Sequence, residues 1–209
     1  MRQFSTIILV IFTFSNLIMP ANCAYKGGVI YSIPIEYKNL SESELVAKAD
    51  KYFQNAQISC EYVNEDITSA LTLYSILQNL NPNNISYSVK LGILYDKLGK
   101  DRQAKGNFSR AIGINSARYE PYFYFGEFYY NREQYRQALK YYNLALERSE
   151  SPDYELYYKI GDIHEKFGDT KQSIKYLKLA ESQKPSSELS SKIMQVETAD
   201  VVNKVYYKK

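Results

Sequence analysis

Leu91 to Ala111, LGILYDKLGKDRQAKGNFSRA, carries the pattern on which the whole chain turns: Leu91-Gly92, Tyr95, Gly99, Ala104, Phe108 and Ala111. About 34 residues on, the same phases hold Phe125-Gly126, Tyr129, Ala138, Tyr142 and Ala145, and about 35 further they hold Ile160-Gly161, His164, Gly168, Ser173, Leu177 and Ala180. One period back lies a fainter copy in which Ala70, Tyr74, Leu77 and Pro82 keep the second half, while Ile58 and Glu61 stand at the phases of the Gly and the Tyr. A fixed period of this length marks stacked supersecondary units, none of which buries its apolar face alone.

The small residues recur for a packing reason. Where two helices of one pair touch, a side chain would push the backbones apart. Gly92, Gly126 and Gly161 hold the first such phase, Ala104 and Ala138 the second, and Ala111, Ala145 and Ala180 the third. Tyr95, Tyr129, Phe108, Tyr142 and Leu177 fill the spaces between. A helical glycine costs about 1 kcal/mol relative to alanine, so three at one phase signify close approach.

With these residues in place, the chain resembles the tetratricopeptide repeat family over about Lys51 to Ser187. The resemblance implies an all-α fold, a right-handed α-solenoid of stacked antiparallel helix pairs. About four repeats are expected, near 51–84, 85–118, 119–152 and 154–187, within a solenoid spanning 41–187. Residues 188–209 then supply a terminal capping helix, with the stripe Leu189, Ile193, Val196 and Val202, and a frayed tail.

Local signals give the helix bounds. Ser41-x-x-Glu44 is a capping box opening a first helix that runs to about Asn64, and a second runs from Ile67 to Leu80. Further helices are expected over Ser86–Leu98, Asp101–Ile114, Glu120–Arg132, Tyr135–Arg148, Glu155–Phe167 and Thr170–Ser182. Gly99-Lys100 and Gly168-Asp169 make the tight turns, and Ser151-Pro152 reads as cap and first-turn proline of the last pair.

The beginning of the chain differs. Arg2 precedes the uncharged, mostly apolar run Phe4 to Met19, and Ala21-Asn22-Cys23 offers small residues, so 1–23 reads as a signal peptide cut near Cys23. An uncleaved anchor is the alternative, since this run is somewhat short of the roughly 20 residues that span a bilayer. Acylation at Cys23 is a further one, although Pro20 and Asn22 depart from the usual pattern. The expected location is periplasmic, extracellular or envelope-associated, or else membrane-anchored by the N-terminal segment. Residues 24–40, with Val29 to Tyr37 around Pro34, read as an extended arm lying along the first helices. Cys60 reads as a small apolar residue on a helical face; an intermolecular disulfide, or a bridge to a retained Cys23, is the alternative.

Composition narrows the function. A net charge of +3 gives no footprint for nucleic acid. The only histidine, His164, stands at the phase of Tyr95 and Tyr129 and reads as a packed ring at a repeat seam rather than a base or ligand. No acidic cluster has ligand spacing, and Gly27-Gly28 lacks the Lys-Ser/Thr of a phosphate loop. No enzyme, metal or cofactor is expected. Asn39-Leu40-Ser41, Asn84-Ile85-Ser86 and Asn107-Phe108-Ser109 match the N-glycosylation pattern, which is short enough to arise by chance.

The resemblance implies an adaptor that binds an extended peptide in the concave groove lined by the first helix of each pair. The groove phases are Tyr52, Asn55, Ser59 and Tyr62, then Ser86, Val89, Lys90, Ile93 and Lys97. The third repeat offers Glu120, Phe123, Tyr124, Glu127, Tyr130 and Asn131, and the fourth Glu155, Tyr157, Tyr158, Asp162 and Glu165. Family members that clamp a C-terminal carboxylate use Lys and Asn in the first groove helix with Lys and Arg further on, and that pattern is missing here. Rings interleaved with carboxylates suit a basic or proline-containing peptide. An assembly role through the convex face and a glycan-binding accessory role remain as alternatives.

Overall fold

The computed structural model describes residues 33–58 and 65–206. The leader, Cys23, the arm up to Ser32, Cys60, Glu61, the groove phases Ser59 and Tyr62, and the last three residues lie outside them. Among the described residues there is no strand. One 3-10 turn, Ile35–Tyr37, is followed by α1 (Glu42–Ile58), α2 (Glu65–Leu80), α3 (Ile85–Lys97) and α4 (Asp101–Ile114). Then come α5 (Glu120–Tyr130), α6 (Tyr135–Arg148), α7 (Tyr154–Lys166), α8 (Thr170–Gln183) and α9 (Ser187–Tyr206). The all-α, helix-pair architecture is as expected.

Capping chemistry sets the helix starts. Ser41 and Glu44 form the expected reciprocal box: the Ser41 N–H donates to Glu44 Oε2 at 2.8 Å and the Glu44 N–H to Ser41 Oγ at 3.3 Å. Asn84 caps α3, accepting from the Ser86 N–H at 3.0 Å. At α7 the cap is Asp153, which accepts from the Leu156 N–H at 3.0 Å. Ser151-Pro152 therefore precedes the helix instead of opening it, because the carboxylate one residue later reaches the free amide.

Odd and even helices pair through one turn geometry used three times. Gly99 (φ 66°) and Gly168 (φ 75°) take the left-handed conformation that closes the helix end. Glu133 (φ 57°) does the same between α5 and α6. In each turn the next residue's N–H reaches back into the helix: Lys100 to Tyr95 O at 2.9 Å, Gln134 to Tyr129 O at 3.0 Å and Asp169 to His164 O at 2.9 Å.

The glycines at the repeat phase sit where the pattern places them. A Cβ on Gly92 would lie 2.6 Å from the Phe108 ring, one on Gly126 2.6 Å from the Tyr142 ring, and one on Gly161 2.9 Å from Leu177. Ala104, Ala111, Ala138, Ala145 and Ala180 are fully buried beside them. Ser173 stands at the second small phase of the fourth pair, fully buried, with no partner for its hydroxyl.

The first pair departs from the sequence register. Ile58, at the glycine phase by counting, is 82% exposed at the end of α1. Ala49 is the buried small residue on α1, and its neighbour Asp50 receives a hydrogen bond from Tyr74, as Glu127 beside Gly126 does from Tyr142. Ala49 thus takes the glycine's place. α1 is longer than α3, and more chain joins it to α2, so a fixed count slides off the true register.

Among the described residues the core runs as four clusters along the stack. The first joins α1 and α2 to the inner face of α3, with Tyr74, Leu77, Leu91 and Leu94 fully or nearly fully buried. The second holds Phe108, Phe125 and Phe128, and the third Tyr142, Leu156, Ile160 and Ile163. Leu189, Ile193 and Val196 of α9 close the end over Leu177 and Ala180. Val202, read as part of that stripe, is 41% exposed, so the apolar stripe stops at Val196, and beyond it α9 is held to α8 by polar contacts, Thr170 donating to Asp200 at 2.8 Å. At the described end of the arm, Ile33, Tyr37 and Leu40 pack against the first cluster. It makes a turn rather than staying extended, since Tyr37 N–H bonds back to Pro34 O at 2.9 Å.

Candidate interaction face

The odd helices form one layer, tied helix to helix by a recurring contact. On α1, Asp50 accepts from Tyr74 Oη and from Lys90 Nζ of α3, the latter at 2.5 Å. On α5, Glu127 accepts from Tyr142 Oη and from Lys159 Nζ of α7 at 2.9 Å. On α7, Asp162 accepts from Lys192 Nζ of α9 at 2.7 Å and from Tyr130 Oη at 2.6 Å. Each lysine lies over a ring: Lys90 is 5.2 Å from the Tyr74 centroid, Lys159 4.3 Å from Tyr130 and Lys192 5.4 Å from Tyr158. Carboxylate, lysine and ring form a rung between neighbouring odd helices. At the remaining junction the corresponding residues are Ile93 and Tyr124, and the charge is absent.

Titration behaviour follows from these contacts. Burial works against the Asp50 and Asp162 charges, but the lysine and tyrosine hydrogen bonds prevail, so both carboxyls sit below their ordinary range. Burial also works against the Lys192 ammonium, which Asp162 and Glu165 nevertheless hold above its usual value. Tyr74, Tyr130 and Tyr142 are pushed up, first by burial and then by the carboxylates that accept their protons.

The expected groove residues therefore divide. Glu127, Tyr130 and Asp162 are internal struts, and Phe123 is buried against Tyr142 with ring centroids 5.9 Å apart. Glu120 is paired with Arg118, and Glu165 with Lys192 at 2.9 Å. Tyr157 turns toward α8, where its ring meets Tyr176 at 6.4 Å, and so leaves the groove set. Asn55 likewise points to α2, donating to Asp66 at 3.3 Å, and Val89 is buried. Tyr124, Asn131 and Glu155 are exposed, and Tyr158 is half-buried, stacked on Tyr154 at 5.8 Å. The half expected to be acidic is mostly neutralised from within.

Reading along single first helices missed the lysines that do this. Lys90, Tyr124, Lys159 and Lys192 share one phase of the repeat, and aligning that phase would have shown three cations and one ring.

Between α7 and α9 the layer opens into a groove of about 600 Å³ lined by Tyr154, Tyr158, Glu165, Lys192 and Gln195 among others. His164 is outside it. Its ring stacks on Tyr176 at 5.7 Å, with planes 5° apart, as Tyr129 stacks on Tyr141 at 5.4 Å and 8°. It packs within its own helix pair, not at a seam between repeats. Burial, opposed by Asp169 3.5 Å away, lowers its pKa. Among the described residues no three His, Cys, Asp or Glu side chains are grouped to hold a metal, and no helix is long and apolar enough to cross a membrane.

Residues 154–187, which are α7, α8 and the turns around them, match the family model of the tetratricopeptide repeat. The fourth helix pair is thus similar to a tetratricopeptide repeat. The structure of MamA is similar to this chain with a TM-score of 0.60 at 18% identity, over 75% of this chain and 86% of that one. PilW, described as a widely conserved type IV pilus biogenesis factor, gives 0.59 at 19% identity, over 70% of this chain and 64% of PilW. YrrB, described as a TPR protein with an unusual peptide-binding site, gives 0.50 at 19% identity, over 53% and 57%. At these identities the likeness is one of fold: a stack of helix pairs like theirs extends beyond the one matched repeat.

Proposed function

We propose that this chain is a non-catalytic protein-interaction module, an adaptor or scaffold of an exported or envelope-associated protein, that holds an extended peptide along its odd helices. The observation that carries the reading is the open groove between α7 and α9, on the same layer as the rungs, with paired rings Tyr154 and Tyr158 and polar walls from Glu165 and Gln195. Rings supply contact area at small entropic cost, and polar walls satisfy a peptide backbone. YrrB, of the same fold, is described as having a peptide-binding site.

The test is fluorescence anisotropy with degenerate labelled decapeptides against the wild type and a Tyr158→Ala, Gln195→Arg variant shown to be folded by circular dichroism. Weaker binding by the variant supports the reading. Undiminished binding, or none by the wild type, overturns it. Export is tested by mass spectrometry of the protein recovered from the host, with a new N-terminus near Cys23 expected and an intact leader refuting cleavage.

An assembly role is favoured by one feature. Met194, Val201 and Val205 of α9 are 67%, 58% and 66% exposed, on the outer side of the helix that closes the stack. Concentration-dependent light scattering that disappears in Met194→Lys, Val201→Lys would favour that reading over a peptide groove.

A further inference from the structure

We propose that α9 pairs antiparallel with α9 of a second copy of this chain, across a two-fold axis near Thr198. The proposal rests on the assembly reading above and names its partner; the groove between α7 and α9 does not enter it.

α9 repeats the pattern of α7 without the helix that should follow. Shifted by 33 residues, Leu156, Lys159, Ile160 and Ile163 become Leu189, Lys192, Ile193 and Val196, and the apolar members are buried in both helices. The same shift carries Gly161 to Met194 and Gly168 to Val201. Gly92, Gly126 and Gly161 are the points at which α3, α5 and α7 receive the next even helix, against Phe108, Tyr142 and Leu177. Among the described residues α9 receives none. Gly168 takes the left-handed conformation that turns the chain back, whereas Val201 continues the helix to Tyr206. Met194, Val201 and Val205, spaced to share one side of a helix, therefore stay exposed.

That side is shaped for an antiparallel helix, and two properties select this chain's own. Size is the first. In the complete pairs a large residue meets a glycine, but Met194 fills that space itself, so the arriving helix must bring a smaller side chain. An axis midway between positions 194 and 201 sets Met194 against Val201 of the second copy, and the reverse contact forms by symmetry. Charge is the second property. The chain carries +3, and its even helices expose Arg102, Arg136, Lys140, Lys171 and Lys175, so copies meeting on those helices repel. Between Met194 and Val202, α9 carries only Glu197, paired with Lys178 at 2.8 Å, and Asp200, which accepts from Thr170 of α8 at 2.8 Å. A second α9 thus meets an apolar stripe whose neighbouring charges already have partners. A two-fold pair uses the one surface twice and closes the assembly.

The test is sedimentation equilibrium on the full chain and on variants shown to be folded by circular dichroism. The wild type is expected to dimerise. Met194→Lys and Val201→Glu should each weaken the dimer about tenfold or more, since each buries a charge without a partner. The axis sets 194 against 201, so Met194→Lys combined with Val201→Glu forms two ion pairs and should recover most of the association. Met194→Lys combined with Val201→Lys should not. Ile35→Lys, at a residue 85% exposed ahead of α1, should leave the dimer intact. A wild type that is monomeric at every concentration overturns the proposal, even where another protein's helix occupies α9. A dimer indifferent to the single changes, or a Lys–Glu combination no better than they are, overturns it too. Decapeptide anisotropy on the same proteins separates this pairing from the groove. Met194→Lys should bind peptide as the wild type does, and Tyr158→Ala, Gln195→Arg should dimerise as the wild type does, so either reading can fail alone.

Discussion

Replacing Gly92 by alanine opposes two effects of known sign. Alanine relieves the conformational cost of a helical glycine, a gain of about 1 kcal/mol. The new Cβ, however, lies 2.6, 2.8 and 2.9 Å from three atoms of the Phe108 ring, where carbon atoms prefer about 3.5–4.0 Å. Phe108 has nowhere to go: it is 1% exposed, stacked on Phe125 at 5.4 Å and edge-on to Phe128 at 6.3 Å. Overpacking at such a site costs about 1–3 kcal/mol, so Gly92→Ala is expected to lose up to about 2 kcal/mol net. Gly106, on the neighbouring helix, provides the control. It meets nothing within 4 Å of a built Cβ, so Gly106→Ala keeps the propensity gain alone. The two alanines should differ by about 1–3 kcal/mol, or several degrees in Tm, in guanidinium and thermal unfolding followed by circular dichroism. Adding Phe108→Leu to Gly92→Ala should cost less than the two single changes together, since both act on one contact. Gly92→Ala as stable as Gly106→Ala, or an additive cycle, would refute the close-approach argument.

Three further outcomes follow from the geometry. Glu133→Gly should stabilise the third pair by about 1 kcal/mol, because Glu133 holds a positive φ that glycine adopts freely at Gly99 and Gly168; an unchanged or lower Tm counts against it. Ser173→Ala should raise stability by about 1 kcal/mol in denaturant unfolding by removing a buried hydroxyl without a partner, and a loss there would mean the hydroxyl is bonded. His164 has a folded pKa below its unfolded one, so the unfolded chain takes up the proton first as pH falls, and stability drops as the pH falls through the ordinary imidazole range. His164→Tyr, which restores the ring of the other repeats, should flatten that part of the Tm-against-pH curve, and identical slopes would exclude the histidine as its source.

The repeat pattern carried the packing of the second, third and fourth pairs because small residues and a large partner recur at a fixed phase, and close helix contact admits only small side chains there. It failed in the first pair, where added length between the helices moved the small residue to Ala49. Side-chain partners on the odd helices were less legible. Glu127 and Asp162 read as free carboxylates because the lysines that hold them, Lys159 and Lys192, stand on the next odd helix. Tyr157 read as a groove ring because adjacent helical positions differ by only about 100°, and which way that turns a ring depends on the neighbouring helix.

The sequence by itself determined the helix pairs, their order and, in the second to fourth pairs, the residues at which they touch, since period and residue size are local properties. The tertiary structure alone decided which charges cancel. An ion pair needs two groups within a few ångströms, and stacking brings together side chains one repeat apart in the chain. That is why three rungs are closed, and why the junction with Ile93 and Tyr124 carries no charge.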